Sequence, residues 1–401
     1  MNKILQIENL AVGYNKRKVV SNINQEIFKG QLVSILGPNG AGKTTILKTL
    51  AKLISPLGGK IYINGFLLSK LNSKEIAKNV AVVLTERPSP GLLTAFEFVA
   101  LGRYPYTNFL GRLTDEDKNK IKEALHLVNA DNISEKYFGE LSDGEKQKII
   151  LARAIAQEPK IIILDEPTLH LDLRSKMEVL NILYNFSKQK GVTVIVSLHD
   201  IDVALKISDI VILVKNGRII DFGTPERIIN KDIIAQLYDL KDVYFNNKLY
   251  TIELVRSNNK QDVFVIAGGG TGTLIYRLLA KHGLGIVTGI IHENDIDYHV
   301  ARSIGSHVIS EKPFQNISNY TLEKAFSYIN RVKSIIDSGF PVGSFNQQNI
   351  DLIINAVKKG KKVYTMRSKN EVFKLYKVNC QNFIYLNTTE SLLKEMILKN
   401  R

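Results

Sequence analysis

The sequence predicts an α/β protein with two domains, one after the other along the chain. Short apolar runs alternate with helical patterns through the first part of the chain, as in an α/β domain. One of these runs leads into a glycine-rich loop that opens a helix. A second alternation begins after polar residues near 240–261. A chain of 401 residues is long enough for two or three domains with a sizeable core.

The strands of the first domain are predicted at short apolar runs between turn or loop residues. The last two runs are joined by Asn216-Gly217, a dipeptide typical of a tight hairpin turn. Between Leu92 and Gln157 the pattern becomes mainly helical, which predicts a helical insert in the sheet domain. The predicted strands are Ile4–Asn9, Gln31–Leu36, Lys60–Ile63, Val80–Leu84, Ile161–Leu164, Val192–Ser197, Ile210–Lys215 and Arg218–Phe222.

The glycine-rich loop reads Gly-Pro-Asn-Gly-Ala-Gly-Lys-Thr-Thr over residues 37–45. Its glycines let backbone N–H groups turn inward around phosphate oxygens, and the following helix points its positive end at the anion. Lys43 can reach the β- and γ-phosphates, and the Thr44 hydroxyl can bind Mg²⁺. The loop therefore predicts binding of a nucleoside triphosphate with Mg²⁺. The candidate binding residues are Gly37, Asn39, Gly40, Gly42, Lys43, Thr44 and Thr45.

Two acidic residues and a histidine follow predicted strands downstream of the loop. Asp165 and Glu166 end one buried-strand pattern, and His199 follows the next one. Asp165 is predicted to hold Mg²⁺, and Glu166 to orient and polarise the attacking water. His199 can contact the γ-phosphate. With Lys43, Glu166 and His199 are the candidate catalytic residues for hydrolysis of the triphosphate.

A short segment between the loop and the two acids, Leu141-Ser142-Asp143-Gly144-Glu145, opens a further helical pattern. With it, the chain resembles the nucleotide-binding subunit of an ATP-binding cassette (ABC) transporter from about Ile4 to Leu240. The motifs that carry the resemblance are Walker A at Gly37–Thr44, the signature at Leu141–Glu145, Walker B at Ile161–Glu166, the D-loop at Leu171-Asp172 and the switch residue His199.

The resemblance implies that ATP is the nucleotide and that Tyr14 stacks on its adenine. Members of the family sandwich ATP between two copies arranged head to tail. Ser142 and Gly144 would then contact ATP held by the loop of the other copy, and Asp172 would belong to the same composite site. Closure on ATP and reopening after hydrolysis would drive a membrane partner.

The chain departs from the family's pattern at two places. The usual signature has Gly where Asp143 stands and Gln where Glu145 stands. The carboxylate of Asp143 is expected to repel the γ-phosphate bound to the other copy, unless the carboxylate points away or pairs with a cation. The Gln that usually ends the strand Val80–Leu84 and contacts Mg²⁺ is replaced by Thr85, followed by Glu86. Thr85 therefore joins Thr44 and Asp165 as a candidate metal ligand, with Glu86 as the alternative.

The segment Leu93–Pro105, continued by Gly111–Thr114, is similar to the helical-domain segment of importers for iron–siderophore complexes, haem and cobalamin. This resemblance implies contact with a coupling helix of a membrane permease and a peripheral location at the cytoplasmic face of the membrane. It also allows an extracellular substrate-binding protein in the complex. The alternative is that these residues are core and surface positions of a generic helical insert.

Composition agrees with a globular, cytoplasmic protein. Hydrophobic residues make up 44% of the chain and charged residues 23%. No apolar stretch approaches the roughly 20 residues that span a bilayer. The chain start lacks the hydrophobic core of a secretion signal, and the one cysteine, Cys380, excludes an internal disulfide. The net charge is +15, but the basic residues are scattered and there is no Trp, which argues against nucleic acid as a partner. A lysine-rich surface or attraction to an anionic membrane leaflet accounts for the charge.

The predicted domains are residues 1–245, with a helical subdomain at about 90–158, and residues 255–401. The spacing of elements in the second domain predicts a parallel, Rossmann-like sheet. Its helices are predicted at Thr273–His282, Leu322–Asn330 and Asn349–Lys358. Its strands are predicted at Asp262–Ala267, Gly285–Ile291, His307–Ile309, Lys333–Ile336 and Lys362–Met366.

The second domain has a glycine turn, Gly268–Gly272, between a strand and a helix, which favours phosphate or another anion. The next strand is followed by polar residues suited to a ribose or a metal ion. Three interpretations stay open: a packing domain without a ligand, a regulatory ligand-binding domain, and an enzyme. Our hypothesis is that the domain senses cargo or a metabolite and restrains the ATPase. The polar residues are His292, Glu293, Asp295, Asp297 and His299.

The predicted function is ATP hydrolysis coupled to import of an iron complex (siderophore or haem) or cobalamin through a membrane permease. The alternatives are an ABC ATPase without a transport function and a cassette regulated by a ligand of its C-terminal domain. ABC proteins of DNA repair insert long coiled coils between the phosphate loop and the signature, and too few residues separate the two motifs here. ABC proteins of translation usually carry two cassettes, whereas this chain has one.

Overall fold

The computed structural model describes residues 2–86, 88, 90–108, 111–228, 231–239, 243–246, 248–249, 251–255, 260–378 and 380–398. The chain divides into two compact units, Met1–Ile233 and Ile234–Arg401. The predicted domain bounds at 245 and 255 stay a prediction, and the polar residues at 247 and 257–259 that suggested them lie outside the described residues. Within the described ranges, no helix combines the length and the apolar character needed to cross a membrane.

The strands of the first unit form two sheets. They are β1 Lys3–Tyr14, β2 Arg17–Phe28, β3 Leu32–Leu36, β4 Gly58–Ile63, β5 Phe66–Leu67, β6 Val80–Val83, β7 Ile161–Asp165, β8 Thr193–Ser197, β9 Ile210–Lys215 and β10 Arg218–Gly223. The six-stranded sheet has the order β10-β9-β3-β8-β7-β6 and is parallel except for β10. The four-stranded sheet is antiparallel, with the order β2-β1-β4-β5.

The six-stranded sheet positions the predicted site. Every residue of β3, β7 and β8 is buried, which is why these strands read as continuous apolar runs. The carboxyl ends of the parallel strands meet at one edge of the sheet, so the glycine loop after β3 and the acids after β7 come together there. The hairpin between β9 and β10 is confirmed, with φ of 47° at Asn216 and 73° at Gly217.

The predicted helical insert is confirmed between β6 and β7. The helices of the first unit are α1 Lys43–Leu50, α2 Ser73–Ala77, α3 Ala95–Ala100, α4 Asp115–Leu127, α5 Asp143–Ala156, α6 Leu173–Lys190, α7 Ile201–Ile207 and α8 Pro225–Ile228. Of these, α3, α4 and α5 form the insert. The buried guanidinium of Arg103 joins them: Nε donates to Asp117 Oδ1 at 2.9 Å, and Nη1 donates to the carbonyl of Ala156 and to Glu158 Oε2, each at 2.8 Å.

No strand is predicted from the sequence over Arg17–Phe28, where the structure has β2. The register between β1 and β2 shifts repeatedly, and Asn22 has a φ of 58°. These bulges interrupt the alternation of buried and exposed side chains that identifies a strand. Because the pattern is irregular, this 12-residue strand could not be identified from the sequence.

The second unit contains a six-stranded parallel sheet and a separate hairpin of β11 and β12. The strands are β11 Val243–Asn246, β12 Thr251–Leu254, β13 Val263–Ile266, β14 Ile286–His292, β15 His307–Glu311, β16 Ser334–Asp337, β17 Val363–Thr365 and β18 Phe383–Tyr385. The helices, including one that crosses the division between the units, are α9 Lys231–Tyr238, α10 Thr273–Lys281, α11 Ile296–Ser303, α12 Asn319–Arg331, α13 Asn349–Lys358, α14 Lys369–Tyr376 and α15 Thr389–Leu392.

The order of the parallel sheet, β15-β14-β13-β16-β17-β18, is that of a doubly wound fold. Alternate residues of the central strand β13 enter two separate cores: Val263 and Val265 belong to one, and Phe264 and Ile266 to the other. A strand between two cores reads as a continuous apolar run. The predicted Rossmann-like fold is therefore confirmed.

Candidate nucleotide-binding site

The glycines of the phosphate loop are required by its backbone. Gly40 and Gly42 have φ of 78° and 105°, in the left-handed region that favours glycine. A Cβ atom on Gly37 would lie 2.2 Å from the carbonyl oxygen of Val214, and one on Gly42 would lie 2.5 Å from Val20 Cγ2. The loop is thus packed tightly against β9 and β2. It leads into α1, whose first turn has neither a side-chain cap nor an acidic residue, so its N–H groups suit an anion.

Lys43 folds back over the loop. Its Nζ atom donates to the carbonyl oxygens of Gly37 at 2.8 Å and Pro38 at 3.2 Å. Burial lowers the pKa of the Lys43 ammonium, and the carboxylates of Glu166 and Asp165 act in the opposite direction. The structure therefore holds the lysine against the loop, within electrostatic reach of the two acids. Thr44 is half-buried, Thr45 is buried and Asn39 is exposed.

Asp165 ends β7 and is held by two hydroxyl groups. Ser197 Oγ donates to Asp165 Oδ1 at 2.7 Å, and Thr85 Oγ1 donates to Asp165 Oδ2 at 3.1 Å. Ser197 Oγ also accepts the N–H of Glu166 at 2.9 Å. Sequence reasoning missed Ser197, although it is a hydroxyl at the end of a buried strand. Its role depends on the register that sets Ser197 opposite Asp165 on the neighbouring strand.

Glu166 and His199 form a pair beside Asp165. His199 Nε2 lies 2.7 Å from Glu166 Oε1, so the imidazole N–H donates to the carboxylate. The Glu166 side chain is 17% exposed and that of His199 is 37% exposed. The structure thus brings Lys43, Asp165, Glu166 and His199 to one edge of the sheet, with the Glu166 carboxylate still open to solvent.

The signature residues cap a helix. Ser142 is the N-cap of α5: its Oγ and its N–H both donate to Glu145 Oε2, at 2.7 Å and 2.8 Å, and its Oγ accepts the Glu145 N–H at 3.3 Å. These hydrogen bonds lower the pKa of Glu145. Glu145 therefore has a structural role at the position where Gln is usual. Asp143 is exposed in the first turn of α5, where the helix dipole favours a carboxylate.

Gly144 and Asp172 meet through Ser175. A Cβ atom on Gly144 would lie 2.4 Å from Ser175 Oγ, so only glycine allows this contact. Asp172 caps α6 by accepting the Ser175 N–H at 2.8 Å, and this hydrogen bond lowers the pKa of Asp172. Within the described part of the chain, Ser142 and Gly144 form no hydrogen bond with the phosphate loop of their own copy.

Tyr14 is exposed at the end of β1 and pairs with Arg17 across the β1–β2 hairpin. Val20 of the same hairpin contacts the position of Gly42. The structure therefore brings the hairpin that carries Tyr14 to the phosphate loop.

The glycine turn of the second unit is occupied by carboxylates of its own chain. The Gly269 N–H donates to Asp295 Oδ2 at 2.7 Å, and the Gly272 N–H donates to Asp297 Oδ2 at 3.0 Å. His292 Nε2 lies 2.8 Å from the carbonyl oxygen of Gln315. In the ranges that the structure describes, no group of three or more His, Cys, Asp or Glu side chains is placed to hold a metal ion.

The phosphate loop, at the carboxyl edge of a parallel sheet beside Asp165 and Glu166, places the first unit in the class of P-loop nucleoside triphosphatases. Comparison with known proteins narrows this class. A family model described as ABC transporter matches residues 20–169, and one described as the MJ0874 family matches residues 286–393. The chain is 47% identical over 287 residues to an uncharacterized ABC transporter ATP-binding protein of Methanocaldococcus jannaschii, MJ0873, covering 71% of this chain and 99% of that protein.

Two further relatives have more specific names. The chain is 36% identical over 236 residues to the iron(3+)-hydroxamate import ATP-binding protein FhuC of Bacillus subtilis, which covers 59% of this chain and 88% of that protein. It is 28% identical over 328 residues to the cobalamin import ATP-binding protein BtuD of Halobacterium salinarum, which covers 80% of this chain and 82% of that protein. Among solved structures, a metal-chelate-type ABC transporter in an inward-facing conformation is similar, with a TM-score of 0.54, 29% identity, and coverage of 60% of this chain and 90% of that one.

The chain belongs to the family of ABC transporter ATP-binding proteins. The predicted family and ATPase activity are thereby confirmed.

Proposed function

We propose that this chain is the ATP-hydrolysing subunit of an importer and that two copies sandwich ATP head to tail beneath a membrane permease. The observation that carries the proposal is the contact of Glu166 with His199, formed beside Asp165 at the edge of the sheet where the phosphate loop lies. A carboxylate fixed by an imidazole but open to solvent can accept a proton from a water molecule. The chain would sit peripherally at the cytoplasmic face of the membrane.

Each residue of the site has a proposed task in hydrolysis. Lys43 exchanges its loop carbonyl partners for the β- and γ-phosphates, and the loop N–H groups hold the phosphate oxygens. Glu166 orients the attacking water and takes its proton, while His199 holds Glu166 and contacts the γ-phosphate. Tyr14 stacks on the adenine. Ser142, Gly144 and Asp172 act on ATP bound to the other copy, which agrees with the absence of hydrogen bonds from Ser142 and Gly144 to their own described loop.

The metal ligands proposed for Mg²⁺ are Thr44, Asp165 and Thr85. The donor set fits the ion, because all three residues offer oxygen atoms and Thr85 Oγ1 lies 3.1 Å from Asp165 Oδ2. When bound, Mg²⁺ neutralises charge on the β- and γ-phosphates. Of the two candidates that replace the usual Gln, Thr85 contacts Asp165, whereas Glu86 is exposed and lies 4.0 Å from Lys48. These contacts favour Thr85.

The helical insert offers a surface for the permease. Within the segment Leu93–Pro105, Gly102 and Arg103 are buried, and a Cβ atom on Gly102 would lie 2.3 Å from the carbonyl oxygen of Arg153. Leu101 and Tyr104, by contrast, are 52% and 78% exposed. These two side chains lie three residues apart, one helical turn, and large exposed apolar groups mark interaction sites. In this proposal Gly102 and Arg103 maintain the fold of the insert, and Leu101 and Tyr104 contact the permease.

The extent of the similarity to each relative favours cobalamin over an iron complex as the cargo. The match to the hydroxamate importer subunit covers 236 residues, about the length of the first unit, which ends at Ile233. The match to the cobalamin importer subunit covers 328 residues and must extend into the second unit. Because the similarity to a cobalamin import subunit extends into the second unit, we infer that the permease imports a corrinoid, with an extracellular substrate-binding protein as a further partner.

Reconstitution with the membrane partner tests this proposal. The chain should co-purify with a permease, and proteoliposomes should take up cyanocobalamin in an ATP-dependent manner but not ferric hydroxamates. Uptake of hydroxamates alone would overturn the choice of cargo. ATPase activity without a membrane partner would favour the alternative of an ABC ATPase without a transport function.

We predict that Ser197→Ala lowers ATP turnover about 10- to 100-fold and raises the Mg²⁺ concentration needed for half-maximal activity. The substitution removes a donor from Asp165 Oδ1 and an acceptor from the Glu166 N–H, and each unpaired buried group costs about 1–3 kcal/mol. Steady-state ATPase assays across Mg²⁺ concentrations measure both effects. Ser34→Ala is the control, because Ser34 is equally buried on β3 but bonds to Ser208. Equal losses in both variants would contradict a role for Ser197 in holding the acids.

A further inference from the structure

The glycine turn of the second unit already uses two of the N–H groups that a phosphate would need. Asp295 and Asp297 accept the N–H groups of Gly269 and Gly272, and Asp297 Oδ1 also accepts the Thr273 hydroxyl at 2.9 Å. Asp297 is fully buried. Two carboxylates where a dinucleotide would place its pyrophosphate repel an anion and already occupy two of the donors of the turn. The turn is therefore poorly suited to a dinucleotide, the ligand that its position in a doubly wound sheet suggests.

A cavity of about 420 Å³ opens at the same, carboxyl edge of this sheet, between the loop after β15 and the loop after β16. Three amide side chains line it: those of Asn316 and Gln347 are exposed, that of Gln348 is half-buried, and none of them forms a hydrogen bond within the described residues. Ser344 adds a hydroxyl, and Asp351 adds a carboxylate that further disfavours anions. Unpaired amides donate and accept without charge, so they suit an uncharged ligand that also donates and accepts.

Exposed apolar side chains lie in a loop that lines the cavity through other residues. Phe345 and Val342 are 46% and 37% exposed and lie in the loop that carries Ser344 and Gln347. The ring of His292 meets the ring of Phe345 edge-on, with centroids 6.5 Å apart. The carboxyl edge of this sheet thus combines a cavity lined by hydrogen-bonding side chains with exposed apolar side chains nearby. Ligand sites commonly have this composition and lie at this edge of a doubly wound sheet.

We propose that this edge binds a neutral, amide-bearing macrocycle of the corrinoid class and rejects nucleotides. In this proposal the amide arms of the ligand enter the cavity and the ring lies on Phe345 and Val342. This inference rests on the proposed function for its choice of corrinoid, since the similarity to a cobalamin import subunit extends into this unit. The second unit would then report the presence of cargo on the same chain that hydrolyses ATP.

Equilibrium dialysis of the full chain against cyanocobalamin and, separately, NAD⁺ tests the inference. NAD⁺ is the probe for a dinucleotide pyrophosphate, which cyanocobalamin lacks, and it replaces ATP because ATP also binds the cassette. We expect saturable binding of cyanocobalamin, at least about tenfold weaker binding for Gln348→Leu, and no saturable binding of NAD⁺. Asn330→Leu is the control, because this exposed amide lies in the last turn of α12 at the opposite edge of the sheet, where it accepts a hydrogen bond from Lys359 Nζ. The affinity of this variant for cyanocobalamin should equal that of the unmodified chain.

Three results would overturn the inference: no binding of cyanocobalamin, binding that Gln348→Leu leaves unchanged, or saturable binding of NAD⁺. The outcome is separate from that of the uptake experiment. If vesicles import cyanocobalamin but the chain binds none, the proposed function stands and this site is wrong. If the chain binds cyanocobalamin at the amide cavity but the vesicles import no corrinoid, the site stands and the proposed cargo is wrong.

Discussion

Replacing Glu166 by Gln is expected to leave ATP binding close to that of the unmodified chain while lowering turnover at least about a hundredfold. The amide keeps the size of the side chain and can still accept the hydrogen bond from His199 Nε2, which spans 2.7 Å. It cannot take a proton from water, so the chemical step stops. With ATP bound but not cleaved, the two-copy sandwich should persist. Steady-state ATPase assays, nucleotide titration and size-exclusion chromatography with ATP measure the three effects.

Glu145→Gln is the matched control for this experiment. Glu145 is an acid of the same unit, and its carboxylate accepts from the Ser142 hydroxyl and N–H in the capping box of α5. Gln can fill the same position of a capping box, so the control should fold and turn over ATP normally. If Glu166→Gln retains turnover while binding is normal, a different group is the general base.

The meeting of the phosphate loop with the acids could be predicted from the sequence. Each motif follows a buried strand, and the carboxyl ends of parallel strands share an edge. The contacts of Ser197 and Thr85 with Asp165 could not be predicted, because they depend on which strands are neighbours and in which register. Only the sheet order β8-β7-β6 places hydroxyls on both sides of that carboxylate. A hydroxyl at the end of a buried strand is the one signal that the sequence offered.

The contacts of the glycine turn in the second unit could not be predicted from the sequence, for a different reason. From the sequence, Gly268–Gly272 is predicted to bind an anion, and Asp295 and Asp297 are predicted to bind a ribose or a metal ion. In the structure they bond to each other. A carboxylate of the chain competes for the same N–H groups as a phosphate, and local sequence does not reveal that competition because Asp295 lies 26 positions after Gly269.

The importer-like segment was predicted as a whole, but its residues serve two purposes. Arg103 is buried and bonded to three partners, whereas Tyr104 beside it is exposed. Sequence similarity records both kinds of position without distinguishing them. Only burial separates the residues that maintain the insert from those available to a permease.

Arg103→Ala is expected to destabilise the helical insert by about 3–5 kcal/mol, because it leaves the buried carboxylate of Asp117 without its cation. Asp117 also caps α4 by accepting the N–H and hydroxyl of Thr114. Burial opposes ionisation of Asp117, yet the hydrogen bonds from Thr114 and Arg103 hold its pKa below the usual range. The carboxylate is therefore charged at neutral pH, and its loss of a partner is costly. Urea unfolding, with amide hydrogen exchange of peptides from α4 and α5, locates and measures the loss.

Lys120→Ala provides the comparison for this loss. Lys120 Nζ reaches the same acid as Arg103, Glu158, at 3.0 Å, but its side chain is 30% exposed and that of Glu158 is 42% exposed. An ion pair open to solvent contributes about 1 kcal/mol at most, so this variant should exchange and unfold nearly like the unmodified chain. Because α5 begins at the signature, a loosened insert should also weaken contact with ATP on the other copy. Arg103→Ala should then lower ATP turnover without lowering the affinity of one copy for ATP. Equal losses of stability in Arg103→Ala and Lys120→Ala would show that burial of the guanidinium is not what stabilises the insert.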